Sequence, residues 1–399
     1  MDIVARSIQL DPSKSRTEAV RRDASFWPAF LMAVAATSIT VGIMWDISWH
    51  ITIGRDTFWT PAHMAIYLGG AMSGLVGGWL ALKHTFFPSS AERAASVGLF
   101  GARAPLGAWV AIWGSIAMIT SGPFDDWWHN AYGLDVKIVS PPHAILGLGM
   151  FGVSIGALLL VLAQQNRGQA GAGAGLFIYV GGIFVALGSV FIMEFTAPNQ
   201  QHAGLFYRVC ALIFPFRLVA LGRAGRVSWP ATRVAAVYIL LWCLMIWILP
   251  LFPAQPKLAP IYNPVTHMVP PHFPVLVVVP AIAIDLALRK AGDVTGWLNR
   301  AVLAVALGAI FLVVFMMTQW FFSEFLLTPL ADNWFFAGNR YWGYQSGAGD
   351  WRGKFWHVDP TRPDADLISL RGVLITWGIA SLNSWIGLAM GNWMRKVQR

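Results

Sequence analysis

The feature that most constrains this chain is a succession of long apolar runs. Ten of them lie at residues 26–50, 62–82, 105–121, 142–163, 172–194, 204–221, 232–252, 273–288, 298–327 and 368–394. A run of about 20 apolar residues, wound as an α-helix, matches the thickness of bilayer hydrocarbon. Only 12% of the 399 residues are charged, about half the share of a soluble domain. Mean hydropathy is +0.57. These properties predict an all-α polytopic integral membrane protein of about ten transmembrane helices, and they exclude a soluble globular enzyme.

The charges that remain predict an orientation. Lys83, Arg93, Arg103, Arg167, Arg223, Arg226, Arg233, Arg289, Lys290, Arg300, Arg395, Lys396 and Arg399 all fall on the same side as the basic N-terminus. The first four opposite connections carry only Arg55, Lys137 and Lys257. By the positive-inside rule both termini are cytoplasmic, as in a multi-pass protein of a bacterial-type inner membrane. The isoelectric point near 9.8 then reflects loops facing anionic lipid, and no nucleic-acid partner is expected. Residues 1–25 read as a cytoplasmic tail without the apolar core of a cleaved signal peptide. Residues 26–165 form a four-helix unit, 166–327 a five-helix membrane region, and 328–367 an aromatic-rich extracytoplasmic cap; residues 368–399 are the last helix and a basic tail. The run GQAGAGAGLF suits close helix packing, and Cys210 and Cys243, alone in apolar runs, read as packing residues. With this orientation every histidine except His84 falls at or near the outer face.

The four-helix unit is a duplication. In DISWHITIGRDTFWTPAH, Asp46 and His50 stand one helical turn apart, and Thr60-Pro61-Ala62-His63 opens the next apolar run. Residues i and i+4 share a helix face, and Pro in the first turn marks a helix start, so all three side chains are expected at one end of two helices. One carboxylate and two imidazoles suit a borderline transition metal such as copper, zinc or iron. FDDWWHNAYGLDVKIVSPPH repeats the pattern: Asp125 precedes His129 by four, Trp128 precedes His129 as Trp49 precedes His50, and Pro141 precedes His143 by two. Asp126 is an alternative to Asp125, but the helical register favours Asp125. Arg55 and Asp56 are read as an ion pair or as support for the imidazoles.

The stretch WDISWHITIGRDTFWTPAH resembles the C subunit of the copper membrane monooxygenases, the particulate methane and ammonia monooxygenases, over roughly residues 26–165. That family has an Asp-x3-His-x12-His copper site, matched here by Asp46, His50, Arg55, Asp56, Thr57, Thr60, Pro61 and His63. Its second site has Asn-x3-His-x13-His spacing, matched by Asp125, His129, Pro141 and His143, with Asp125 replacing Asn and adding negative charge. The resemblance implies one or two copper ions, with zinc or iron as alternatives. It also implies O2 activation and hydroxylation of a small apolar substrate at the outer membrane face, and protein partner subunits or a homo-oligomer. The family's C subunit works with an A subunit and a cupredoxin-bearing B subunit; this chain has no cupredoxin-like β-rich domain and carries six further helices instead. Trp49, Trp127 and Trp128 would wall the pocket or carry electrons. The alternative is a non-catalytic copper-binding protein or a structural subunit of a larger membrane oxidoreductase complex. Transport suits the chain less well, because the ligands cluster on one side without a Met or Cys ladder. A zinc hydrolase would need Glu194 or Glu324 as its base.

Several further residues stand outside the duplicated motif. Glu194 and Glu324, in EFTAPN and EFLLTPLADN, could form a third site or a proton relay. His267 and His272 echo the Pro-Pro-His of the second motif without an upstream partner, which favours a loop-fixing role. His202 and His357 are lone loop histidines. Arg217 and Asp285 are expected to snorkel toward the cytoplasmic face.

Overall fold

The computed structural model describes residues 12–54, 59–133, 140–168, 170–257, 265–337 and 368–399, with side chains from residue 26 onward except at 170–172. It is almost wholly helical: α1 (Pro12–Thr52), α2 (Pro61–Phe86), α3 (Ser90–Ala94), α4 (Leu106–Tyr132), α5 (Pro141–Asn166) and α6 (Ala170–Val190) precede α7 (Gly204–Ala224), α8 (Pro230–Ile248), α9 (Val278–Ala291), α10 (Trp297–Leu326) and α11 (Leu370–Met394). Among the described residues the one sheet is a hairpin, β1 (Val97–Leu99) with β2 (Ala102–Ala104), turning at Phe100 and Gly101. Both turn residues have positive φ, as a tight hairpin turn requires. Among the described residues nine helices are long and apolar enough to span a membrane. The chain is a multi-pass membrane protein.

Glycines set the packing of the first four long helices. A Cβ on Gly69 of α2 would lie 2.6 Å from the Ala35 carbonyl oxygen of α1, and one on Gly77 would lie 2.8 Å from Ile112 of α4. Gly107 and Gly114 of α4 meet the carbonyl oxygens of Gly156 and Gly149 of α5 at similar distances. In lipid, backbones this close gain dispersion contacts that longer side chains would prevent. The AGAGAG run behaves differently from expectation. Gly173 and Gly175 face open space, and α6 instead approaches α8 through Gly181 and Gly182, against Val234 and Val237.

The expected eighth span is the main departure from the sequence reading. Residues 273–288 do not form one helix. Only Val278–Ala291 is helical, too short to span alone, and 268–276 carry no regular structure although 268–275 are all buried. Extended backbone is tolerated at membrane depth only when protein satisfies its polar groups. Here Pro270, Pro271 and Pro274 remove three N–H donors. The Val269 N–H donates to Thr52 Oγ1 at 2.9 Å, Ser48 Oγ donates to the Val269 carbonyl, and the Leu276 N–H donates to Gln319 Oε1 at 2.8 Å.

The segment nevertheless crosses. Its start is bonded to the C-terminal turns of α1, whereas its far end carries Asp285, which accepts from the Ala231 and Thr232 N–H groups and caps the start of α8. Just beyond, the Gly292 carbonyl and Asp293 accept from Arg223 at the end of α7. Among the described residues, nine helices plus this broken crossing make ten passages, an even number that puts the start of α1 and the end of α11 at the same end of the bundle. The contacts agree: Asn166, at the end of α5 away from His143, donates to the Met394 and Val397 carbonyls.

Two charged side chains expected to snorkel do not. Asp285 is 2% exposed because it is committed to capping α8. Arg217 is also buried, its guanidinium set over the rings of Phe151, Phe184 and Phe216. The structure gives it aromatic faces and the Ile213 carbonyl as partners, which hold a cation in place of water.

Candidate metal centres

The duplicated motif becomes two triads at one end of the bundle. α1 continues through Thr52 and places Asp46 and His50 on successive turns. α4 runs on past residue 121 to Tyr132, with Pro123 inside it, and carries Asp125 and His129 in the same way. The third ligand of each triad sits in the first turn of the next helix. Thr60 accepts from the His63 N–H at 3.1 Å and Ser140 from the His143 N–H at 3.5 Å, with Pro61 and Pro141 at the first helical position. A side-chain N-cap and a proline with φ already fixed hold that turn rigid. His63 and His143 are thereby aimed at the preceding helix.

The distances agree with a shared cation. In the first triad Asp46 stands 3.5 Å from His50 Nε2 and 3.1 Å from His63 Nε2. In the second, Asp125 Oδ1 stands 3.3 Å from His129 Nε2 and 3.5 Å from His143 Nε2. Within each triad the donor atoms lie within 4.8 Å of one another. Ligand atoms about 2.1 Å from one tetrahedral metal ion lie about 3.4 Å apart. The spacing therefore fits a single transition-metal ion in each triad.

The second triad also has the outer support that orients a ligating imidazole. His129 Nδ1 lies 3.1 Å from the Gly133 carbonyl, an acceptor, so Nδ1 carries a proton and donates. That outer hydrogen bond fixes the ring with Nε2 facing Asp125 Oδ1. His50, His63, His129 and His143 are each a quarter to a third exposed, whereas the Asp46 carboxylate is more shielded than that of Asp125, at 11% against 21%.

Other residues singled out from the sequence lie elsewhere. Asp126 points away from the triad and bonds to Asn130. Trp49 is half-buried with its indole nitrogen enclosed, Trp128 packs on Tyr132 at 4.5 Å between centroids, and Trp127 is mostly exposed and stacked on Phe124. Among the described residues only the two triads gather enough ligands for an ion. Glu194 is exposed in a short 3-10 turn. Glu324 lies 3.9 Å from His202, whose ring stacks on Trp320 at 3.5 Å. Burial holds the His202 imidazole below its ordinary pKa, against the opposing pull of the Trp320 carbonyl and Glu324, so it is a neutral strut between the α6–α7 loop and α10. His267 is exposed beside Thr266, and His272 is buried within the broken crossing. His84 bonds Ser96 at 2.7 Å at the opposite end of α2 from His63. Arg55, Asp56, His357 and most of the expected cap lie outside the described residues.

Sequence reasoning missed Tyr67. One turn below His63, its hydroxyl lies within the electrostatic reach of both Asp46 and Asp125. The i+4 spacing from His63 was the only signal available. The chain matches no known protein family, no curated protein and no solved structure.

Proposed function

We propose that this protein is a copper-dependent membrane monooxygenase-like protein that hydroxylates a small apolar substrate with O2. One observation carries the proposal: two independently folded Asp/His/His triads, each with its second imidazole on a capped helix start, at the same end of an apolar bundle. Asp46, His50 and His63 would hold one ion, and Asp125, His129 and His143 the other. Copper bound by two imidazoles and one carboxylate keeps open positions and supplies the redox chemistry that O2 activation needs. The chain's own part is to set the imidazole tautomers, to supply one negative charge per site, and to surround the sites with apolar helices where O2 and such a substrate concentrate. With the basic connections cytoplasmic, the sites face the periplasm or outside.

The half-exposed imidazoles favour one second reading, a copper-binding or structural subunit whose partner covers the sites. Both readings begin from the same measurement. Metal content, determined by mass spectrometry on protein kept in native lipid, should be close to two coppers per chain. It should fall by about one in His50→Ala and by about one in His129→Ala. Two coppers with hydroxylation in substrate trials support the enzyme; two coppers with co-purifying subunits and no turnover favour the subunit. Copper content unchanged in both variants would reject either reading.

A further inference from the structure

The end of the bundle away from the triads carries a groove that the metal centres do not use. It is an open hollow of about 450 Å³, formed by the end of α9, the loop that follows it and the first turns of α10. That volume is within the range of small-molecule sites. Its loop end is polar, lined by Asp293, Thr295 and Asn299, and its helix end is apolar, lined by Val302, Leu303 and Ala306. Asn299, Val302, Leu303 and Ala306 stand at i, i+3, i+4 and i+7, so they share one face of α10. That face runs about 10 Å along the helix. Trp297, 77% exposed at the start of α10, suits the headgroup level of a bilayer. The groove therefore opens among headgroups and descends into hydrocarbon. An occupant that fits it is polar at one end and apolar along its length.

Three guanidiniums meet at the polar end, each from a different helix end. Arg223, at the end of α7, donates to Asn392 Oδ1 at 2.9 Å, to the Gly292 carbonyl at 2.7 Å and to Asp293 Oδ1 at 2.6 Å. Each of its three nitrogens is thus engaged. Arg395, just past α11, donates through Nη1 to the same Asp293 oxygen at 2.7 Å, and Arg300 on α10 donates through Nε to the Val294 carbonyl at 3.5 Å. Both side chains reach water, and each keeps further N–H donors of its fork for another partner. Three cations against the single carboxylate of Asp293 leave two positive charges at the lip of the groove. Other cations at this end are engaged elsewhere: Arg289 lies over the Trp229 ring and Lys83 pairs with Glu92.

We propose that this groove binds an anionic phospholipid. Arg300 and Arg395 hold the phosphate-bearing headgroup, and one acyl chain lies over Val302, Leu303 and Ala306. Charge and shape select this occupant together: two unmatched cations call for an anion, and the apolar stripe calls for a chain that a free phosphate lacks. The groove lies at the end of the basic connections, which by the positive-inside rule is expected to face the anionic cytoplasmic leaflet. A lipid seated there braces the node where α7, the α9–α10 loop and α11 are tied through Asp293. The proposal stands apart from the metal reading.

The test is native mass spectrometry of the full chain, delipidated in a neutral detergent and titrated with phosphatidylglycerol. Phosphatidylcholine with the same acyl chains, and inorganic phosphate, are titrated in parallel. The parent should retain a single phosphatidylglycerol at concentrations where phosphatidylcholine is not retained, and phosphatidylglycerol alone should raise its melting temperature. From the worth of one cation beside an anionic membrane surface, Arg300→Gln and Arg395→Gln should each weaken retention about fivefold, and about 25-fold together. Arg300 is exposed and outside the Arg223–Asp293–Arg395 cluster, so its replacement spares the fold, and Arg300→Lys should restore most of the retention. Ala306→Phe, at an exposed position, fills the apolar end with every charge in place and should abolish it. Equal retention of the two lipids, or retention indifferent to Arg300→Gln and Ala306→Phe, would overturn the proposal. So would stabilisation by inorganic phosphate as large as that by phosphatidylglycerol, the mark of a free-anion site. A dimer broken by Ala306→Phe would overturn it too, by assigning the groove to a second copy of the chain.

Discussion

The two metal centres are built from one plan and differ in how firmly it is executed. In the first, the aspartate is shielded and the cap on the following helix is short, at 3.1 Å. In the second, the carboxylate is about twice as exposed and the corresponding cap is stretched to 3.5 Å. Below the sites the order reverses. A Cβ on Gly114, between α4 and α5, would meet three backbone atoms at 2.7 to 2.9 Å, whereas one on Gly69, between α1 and α2, would meet the Ala35 oxygen at 2.6 Å, a movable Ile39 methylene at 2.7 Å and the Ile39 nitrogen only at 3.1 Å. Ligand order and helix packing therefore vary separately. A loosely framed site stands on the tighter helix pair.

Three pairs of substitutions would break or sharpen this contrast. The largest effect is expected at the carboxylates. With each centre isolated in a His129→Ala or His50→Ala background, Asp46→Asn should weaken metal retention on the order of 100-fold and Asp125→Asn about tenfold, because a less hydrated charge is screened less. Competition with a graded series of chelators would measure both. Equal losses would remove the difference in shielding. Next come the glycines: Gly114→Ala should destabilise the bundle by about 3 kcal/mol and Gly69→Ala by about 1 kcal/mol, since backbone cannot yield where a side chain can. Thermal unfolding in a fixed detergent tests the ranking, and a larger cost at Gly69 would reverse it. The smallest effect is expected at the caps. Thr60→Ala should cost about 1 kcal/mol and Ser140→Ala about 0.5 kcal/mol, read from the same melting curves and from faster metal exchange at the first centre.

Much of the site was written in the local pattern. Asp46 with His50 and Asp125 with His129 follow from helical periodicity, and Thr60-Pro61 and Ser140-Pro141 announce the helix starts that aim His63 and His143. Each inference needs only neighbours in the chain. What could not be read depends on contacts distant in sequence. Asp285 is a cap for a helix that begins fifty-odd residues earlier. Arg217 is accommodated by rings from α5 and α6. The apolar run at 273–288 carries the composition of a span, yet three nearby prolines and the partners waiting on Ser48, Thr52 and Gln319 keep its first part extended. Composition reports that a segment belongs in the membrane interior. It does not report the conformation in which neighbouring side chains will receive it.

That broken crossing also bears on how the protein is made. A helix of 14 residues preceded by an extended segment whose Val269 and Leu276 N–H groups are paired with other elements lacks the apolar helical length to partition into lipid by itself. Its hydrogen-bond partners lie on α1, made long before it, and on α10, made after it. Insertion of the chain cannot therefore proceed strictly one helix at a time. Residues 268–291 must wait at the translocon, or at the bilayer surface, until α10 emerges and closes the groove around them.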